Sequence, residues 1–466
     1  MALPELFIKQ INELLPENEA KDLISALGES EPSVSVRVNA EKCNHTKLHS
    51  TSVPWCNLGF HLEERPQFTF DPMLHSGCYY VQDASSMFLA HAIDKLVDKS
   101  APVKYLDLCA APGGKTTTAI GALPKGSLVV ANEIMSGRAQ ILRENIIKWG
   151  SPYCVVTNND SAAYSRLTEF FDIIAADVPC SGEGMMRKDE EAVTQWTPVL
   201  VKECAERQRE IVDNAWQALR PGGILIYSTC TFNRPENEDI IEYLVNELEA
   251  ESLDLQVPEE WNIYPSINSA THGYHFFPHR TRGEGLFLAA VRKPATSTGN
   301  AHKLLNKKKN SKKSKALPIP AELKKWISSD CSFQIVSNDD SFNAIPTEFT
   351  DEIGFLQESL KVIYCGCDIA NSKGKDLIPA HALAISTCIN KDLFPCYEAD
   401  YATAIAYLRG ETITIDAPRG YVMIAYNGHT LGFVKNLGNR ANNLYPKEWR
   451  IKSTHIPSTP PQVIIK

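Results

Sequence analysis

The segment VKYLDLCAAPGGKTTTAIGALPKGSLVVANE, residues 103–133, decides the fold. VKYLDL reads as a strand, the small residues after it as a tight turn, the run from about Thr116 as a helix, and SLVVAN as a second strand ending at Glu133. The same alternation continues outward. RAQILRENIIKWG (138–150) predicts a helix with its stop at Gly150, and YCVVTN (153–158) a strand ending near Asp160. FDIIAADV (171–178) is almost continuously apolar, as a strand buried on both sheet faces must be. A long helix is expected over roughly 195–219, and GILIYST (223–229) is the next strand. PENEDIIEYLVNELEA (235–250) then opens a helix, with Pro235 in its first turn and acids near its positive end. HFFPHRTRGEGLFLAAVRK (275–293) reads as two strands joined by a turn. The fold class is therefore α/β, a parallel, doubly wound sheet over 101–295. In such sheets ligands sit at the carboxyl ends of the strands.

Composition bounds the rest. A chain of 466 residues that is 43% hydrophobic and 22% charged is a globular protein of about two to four domains. No run approaches the roughly 18 apolar residues of a membrane span, and MALPELFIKQINELLPENEA lacks the layout of an export signal. A cytoplasmic protein with reduced thiols is expected. The 13 cysteines show no metal-ligand spacing, the closest pair being Cys365 and Cys367, so no metal is expected.

The net charge of −9 does not advertise a nucleic-acid binder, but two local stretches are basic. AHKLLNKKKNSKKSK (301–315) holds seven lysines, and the tail has Lys435, Arg440, Lys447, Arg450 and Lys452 against Glu448. Residues 1–100 read as a small α+β N-terminal domain containing the alternating SVSVRVN (33–39). Residues 296–316 read as a lysine-rich linker, 317–377 as a bridging segment without evident chemistry, and 378–466 as a β-rich domain with strands at TITID, GYVMIAYN and HTLGFVKNLG.

The turn Cys109–Lys115 invites a phosphate-loop reading, yet the glycine that template needs is Cys109 here. What remains is Gly113 and Gly114 before a helix N-terminus, a place for an anionic group without a phosphate cradle. The carboxylate of S-adenosylmethionine fits that description. Glu133, twenty residues beyond Gly113, is positioned for ribose hydroxyls, and Asp160 at the next strand end for the adenine amino group.

Asp177 and Cys180 follow the fourth strand in DVPCSGEGMMRKD, where SGEG reads as flexible, and Cys230 ends the fifth strand in YSTCTF. Neighbouring strand ends bring both thiols to one pocket. Two thiols and a carboxylate suit methylation of cytosine carbon 5. That carbon becomes nucleophilic once a thiolate has added to carbon 6 of an extruded base, assisted by proton transfer.

AAPGGKT, DVPCSGEG and YSTCTF, in this order and spacing, resemble the Sun/Fmu family of RNA cytosine-5 methyltransferases over roughly residues 70–292. The resemblance implies a Rossmann-like class I methyltransferase domain. It implies Cys230 as nucleophile and Cys180 in product release. It places S-adenosylmethionine on Cys109, Ala110, Ala111, Pro112, Gly113, Gly114, Lys115, Glu133, Asp160 and Asp177, with Lys115 and Asp177 also touching the base. DNA cytosine methyltransferases use the PC cysteine and lack the TC one, so the doublet implies RNA. Val178, in place of the family's alanine, is a small departure. The segments at 68–87, 274–293 and 429–450 resemble the bacterial 16S rRNA members, which carry a C-terminal PUA-like RNA-binding domain. An RNA-binding N-terminal part and a monomer acting on 16S rRNA in the small subunit are then expected. The same chemistry on transfer RNA, a non-catalytic rRNA-binding assembly factor, and a small-molecule or protein methyltransferase stand as alternatives.

Overall fold

The computed structural model describes residues 3–29, 31–43, 50–295, 318–374, 376–461 and 463. The lysine-rich linker expected at 296–316 lies outside them. A ten-stranded sheet forms the centre. Its parallel part holds β1 (Lys104–Asp107), β2 (Leu128–Asn132), β3 (Cys154–Thr157), β4 (Phe171–Asp177) and β5 (Leu219–Thr229), in spatial order β3-β2-β1-β4-β5. Register pairs such as Leu106 with Ile174 and Ala175 with Ile226 align the carboxyl ends of these strands. All five residues of β2 are buried, which is why its sequence carries no polar alternation. Beyond β5 the expected pair follows as β6 (Gly273–Phe276) and β7 (Leu286–Arg292), both antiparallel.

Helices Gly114–Ala122, Ser136–Trp149, Pro198–Ala218 and Glu238–Glu247 fill the crossovers and the flank. One long helix follows expectation and two other local expectations do not. The helix expected over 195–219 is present as Pro198–Ala218, behind a separate short helix, Glu190–Gln195. The break comes where Thr197 caps the second helix at the amide of Leu200 (3.1 Å) and Pro198 takes its first position. Pro235 does not start a helix: the helix begins at Glu238, and the preceding side chains Glu236 and Asn237 are buried in a turn. TITID forms only an isolated bridge between Ile413 and Ala441.

The segment after the linker contributes more than a connection. A hairpin, Phe333–Asn338 with Ser341–Pro346, and helix Thr350–Ser359 lead into β8 (Val362–Cys365), which pairs antiparallel with β3 at the sheet edge. The domain start expected at 378 falls inside strand Asp376–Pro379. The C-terminal sheet holds Cys396–Glu398, Gly420–Tyr426, His429–Asn436 and Ala441–Asn443 beside helix Tyr401–Leu408. Among the described residues no helix is long and apolar enough to cross a membrane.

At the front, helices Glu5–Leu14 and Glu17–Glu29 precede a four-stranded sheet of Val34–Val38, Thr51–Val53, Cys56–Leu62 and Tyr79–Val81. Its contact with the central domain is close. Asn39 Nδ2 donates to the carbonyls of Gly77 and Trp149, both at 3.0 Å. Gly77 has φ +74°, and a Cβ there would stand 1.8 Å from the Lys148 carbonyl oxygen. Gly77→Ala should therefore lower stability by more than about 2 kcal/mol, since neither the left-handed backbone nor the helix end can yield cheaply. Urea unfolding against the parent chain measures this.

Strand β1 ends on a buried acid. Asp107 accepts from Thr116 Oγ1 at 2.6 Å, which fastens the following helix to the strand, while its Oδ1 has no hydrogen-bond partner. Burial pushes this carboxyl from 3.8 up to about 7. A carboxyl raised in the folded state favours folding fully only below its unfolded value, and that contribution is lost as pH climbs through about 7. Asp107→Asn, which keeps an acceptor for Thr116, should thus raise the melting temperature more at pH about 8 than at pH about 5. Equal shifts at both pH values would contradict this reading.

Candidate active site

The aligned strand ends build one rim. After β1 the turn runs Leu108 to Gly113, and its carbonyls are claimed by neighbouring elements. Arg138 Nη2 donates to Ala111 O (2.7 Å), Asn145 Nδ2 to Pro112 O (2.8 Å) and Asn132 Nδ2 to Leu108 O (3.1 Å). Gly113 has φ +111° and lies against helix Ser136–Trp149, a Cβ there coming within 3.2 Å of Leu142. The helix opens at Gly114, two residues before the expected start. Arg37 braces it from the N-terminal sheet, with Nη2 2.5 Å from Thr117 Oγ1 and Nε 2.8 Å from Gln82 Oε1.

Glu133 and Asp160 stand just past β2 and β3, at successive strand ends as expected, in unlike surroundings. Glu133 is 3% exposed. Its Oε1 accepts from the Met135 amide (2.8 Å) and Oε2 lies 3.4 Å from Arg138 Nη1. Asp160 is exposed, and its Oδ1 caps the short helix Ser161–Arg166 at the Ala162 amide (2.8 Å).

Asp177, Lys115, Cys180 and Cys230 do come together. Asp177 ends β4 and accepts from Ser228 Oγ of β5 (2.8 Å) and from Lys115 Nζ (2.9 Å). Burial alone would lower the Lys115 ammonium. The negative charge of Asp177, with Cys230 and Asp107, outweighs it and holds the group above its ordinary value. Cys230 Sγ and Cys180 Sγ are 3.1 Å apart, and the Cys230 amide points at the Cys180 sulfur (3.3 Å). The hydrogen bond to Cys230, burial and the Glu236 carboxylate push the Cys180 thiol well above its usual range. The Cys180 thiol is thus held toward its protonated form.

What holds the two cysteine loops was not read from the sequence. SGEG, expected to be flexible, is pinned. Glu183 is fully buried. It accepts from Trp196 Nε1, Asn233 Nδ2, Gln10 Nε2 and the amides of Phe232 and Asn233, all between 2.7 and 3.0 Å. Glu236 is likewise fully buried. It accepts from the Ser181 amide (3.0 Å), Ser181 Oγ, Gln208 Nε2 (2.8 Å) and Asn233 Nδ2 (2.8 Å). Burial raises this carboxyl, and the bonds from Ser181 and Asn233 hold it back. The Gly184 amide closes onto the Cys230 carbonyl (2.8 Å). Gly184 and Gly285 pass back to back, a Cβ on either meeting the other's Cα within 2.7 Å.

Comparison with known proteins agrees with this architecture. Residues 96–292 match the family model described as 16S rRNA methyltransferase RsmB/F. Residues 3–84 match the N-terminal domain of 16S rRNA methyltransferase RsmF, and 394–451 the methyltransferase RsmF PUA domain. The ribosomal RNA small subunit methyltransferase F of Enterobacter sp. (strain 638) is 31% identical over 475 aligned positions, covering 96% of this chain and 95% of that protein. That of Shewanella oneidensis is 30% identical, covering 95% and 96%. Among solved structures, a methyltransferase homologue from Pyrococcus horikoshii superposes with a TM-score of 0.54 at 26% identity, covering 62% of this chain and 95% of that one. NSun6 from the same organism, solved with SFG, reaches 0.54 at 18% identity and covers 64% and 99%. A methyltransferase sheet flanked by both modules, with relatives matched from end to end, leaves one assignment: the chain belongs to the ribosomal RNA small subunit methyltransferase F family.

Proposed function

We propose that this chain transfers the methyl group of S-adenosylmethionine to carbon 5 of a cytidine in the 16S rRNA of the small ribosomal subunit, through a transient bond between Cys230 and the base. The observation that carries this reading is the pair of sulfurs 3.1 Å apart at the ends of β4 and β5, on the same rim as the Lys115–Asp177 pair. The residues present suit the cofactor. Gly113 and Gly114 leave the helix start open to a carboxylate, Ala110 and Ala111 line the turn with small side chains, and Glu133 and Asp160 offer acceptors for ribose and adenine.

The roles follow from the local chemistry. Cys230 adds through sulfur to carbon 6 of the extruded base. Lys115, kept protonated by Asp177, donates a hydrogen bond toward the N3–O2 edge and draws off the charge that addition places on the ring. Asp177 accepts from the exocyclic amine. Bound S-adenosylmethionine supplies the electrophilic methyl group. After methylation the carbon 5 proton is lost to a base and the carbon–sulfur bond breaks. Cys180, still carrying its proton, hydrogen-bonds the departing Cys230 sulfur and makes it a better leaving group. We assign RNA binding outside the rim to residues 1–100 and 378–466, in a cytoplasmic enzyme working as a monomer.

Incubation of Cys180→Ala with S-adenosylmethionine and small subunits should trap a protein–RNA adduct that survives a denaturing gel. Cys230→Ala should give neither adduct nor methyl transfer. The reverse pattern would exchange the two roles, and labelling of transfer RNA alone would replace the acceptor. Glu236→Gln forces an amide NH2 against one of four donors and should lower kcat roughly 10²-fold through misplaced sulfurs. Cofactor binding measured by calorimetry should stay unchanged, which separates misplacement from unfolding.

A further inference from the structure

Away from the rim, three ligand-type side chains from two modules converge. One atom each of Cys43, Cys78 and His429 lies within 4.8 Å of the others, and Cys43 Sγ stands 3.9 Å from His429 Nε2. Tetrahedral zinc, with sulfur at about 2.3 Å and nitrogen at about 2.0 Å, sets edges of about 3.6 Å between sulfur and nitrogen and about 3.8 Å between sulfurs. The set is within small side-chain rotations of that geometry.

The backbone holds it there. Cys78 precedes strand Tyr79–Val81, and Cys43 follows the neighbouring strand Val34–Val38 by a turn. Asn39 ties the two, its amide donating to Cys78 O (2.8 Å) and its carbonyl accepting from Cys43 N (2.9 Å). His429 arrives from the other end of the chain. The Asn427–Gly428 turn, both residues at positive φ, sets it at the start of its strand, and the Gly428 amide is held by the Glu398 carboxylate (3.1 Å). Tyr426, from the same hairpin, packs on the cluster of Val36, Val38, Met73 and Tyr79, which also includes the two cysteines.

Lys42, anchored on the carbonyls of Ser76 (2.8 Å) and Lys148 (2.6 Å), directs its charge at both sulfurs. Ser76 Oγ lies 3.1 Å from Cys78 Sγ, where it can orient a metal-bound sulfur. Two thiolates neutralise a dication, so Lys42 meets no net positive charge.

We propose that Cys43, Cys78 and His429 bind a divalent cation of the zinc class, clamping the N-terminal module to the C-terminal hairpin. Binding releases the two thiol protons to solvent, and a water completes the coordination. The inference does not depend on the reaction catalysed at the rim.

The test uses the full-length chain, kept reduced with a phosphine, stripped with a chelator and titrated with cobalt(II), then zinc(II). Thiolate-to-cobalt charge-transfer absorption should saturate at about one ion per chain and vanish on adding zinc, and zinc should raise the melting temperature. Cys43→Ser and Cys78→Ser should lose the absorption. His429→Ala, which removes a half-buried side chain outside either core, should keep folding by circular dichroism yet weaken binding at least about 10²-fold. Cys396→Ser, at an exposed position, should behave as the parent. Cobalt binding without thiolate bands, binding unchanged in Cys78→Ser or His429→Ala, or no binding by the folded parent would each overturn the assignment.

Discussion

Two buried carboxylates set the geometry of the paired cysteines. Glu183 and Glu236 lie beneath the loops that carry Cys180 and Cys230, and no lysine or arginine among the described residues pairs with either. A carboxylate removed from water is costly unless its lone pairs are filled. Here they are filled by the loops themselves, with five donors on Glu183 and four on Glu236. Hydrogen bonds to a charged group are worth about 1.5–3 kcal/mol each, so moving either loop strands several at once. Two sulfurs can then stand in contact with no bond between them. The hydrogen bond to Cys230 and burial, with the negative charge at Glu236, push the Cys180 thiol up.

The turn after β1 is steadied in a different way, from a module outside the sheet. Arg37 is buried with no carboxylate in ion-pair reach among the described residues. Burial lowers it to about 10, and it rests on Gln82, Thr117 and the face of Trp149 at 4.6 Å. A cation bound by dipoles and an aromatic ring demands that all of them stay in place. Tyr80 adds a hydrogen bond to the Pro112 carbonyl (3.2 Å). The N-terminal sheet therefore couples mechanically to the turn at the rim.

Much of this was legible in sequence, for a physical reason. The parallel strands are buried on both faces, so apolar runs such as LVVAN and FDIIAAD announce themselves, and the residues at their ends inherit the rim by topology alone. The polar network was not legible, because Glu183 and Asn233 become partners only when β4 and β5 lie side by side. Taken alone, PENE looks like a helix start and SGEG like a free loop. The separate short helix before Trp196 carries no signal for a similar reason: the Trp196 ring is buried against Phe7 from the first helix, a contact that local propensity cannot foresee. The cluster of Cys43, Cys78 and His429 has no spacing signal, since its third member comes from the far end of the chain.

Strand β8 bears on how the chain can be divided. It pairs Val362 with Thr157 and Cys365 with Val155, covering the flank of β3. Without it, β3 would present an apolar strand with a row of open amides and carbonyls, a template for pairing with another molecule. The methyltransferase sheet is therefore finished by residues that arrive after the linker. The catalytic unit is discontinuous in sequence, and a fragment ending near residue 295 would be sticky rather than a smaller enzyme.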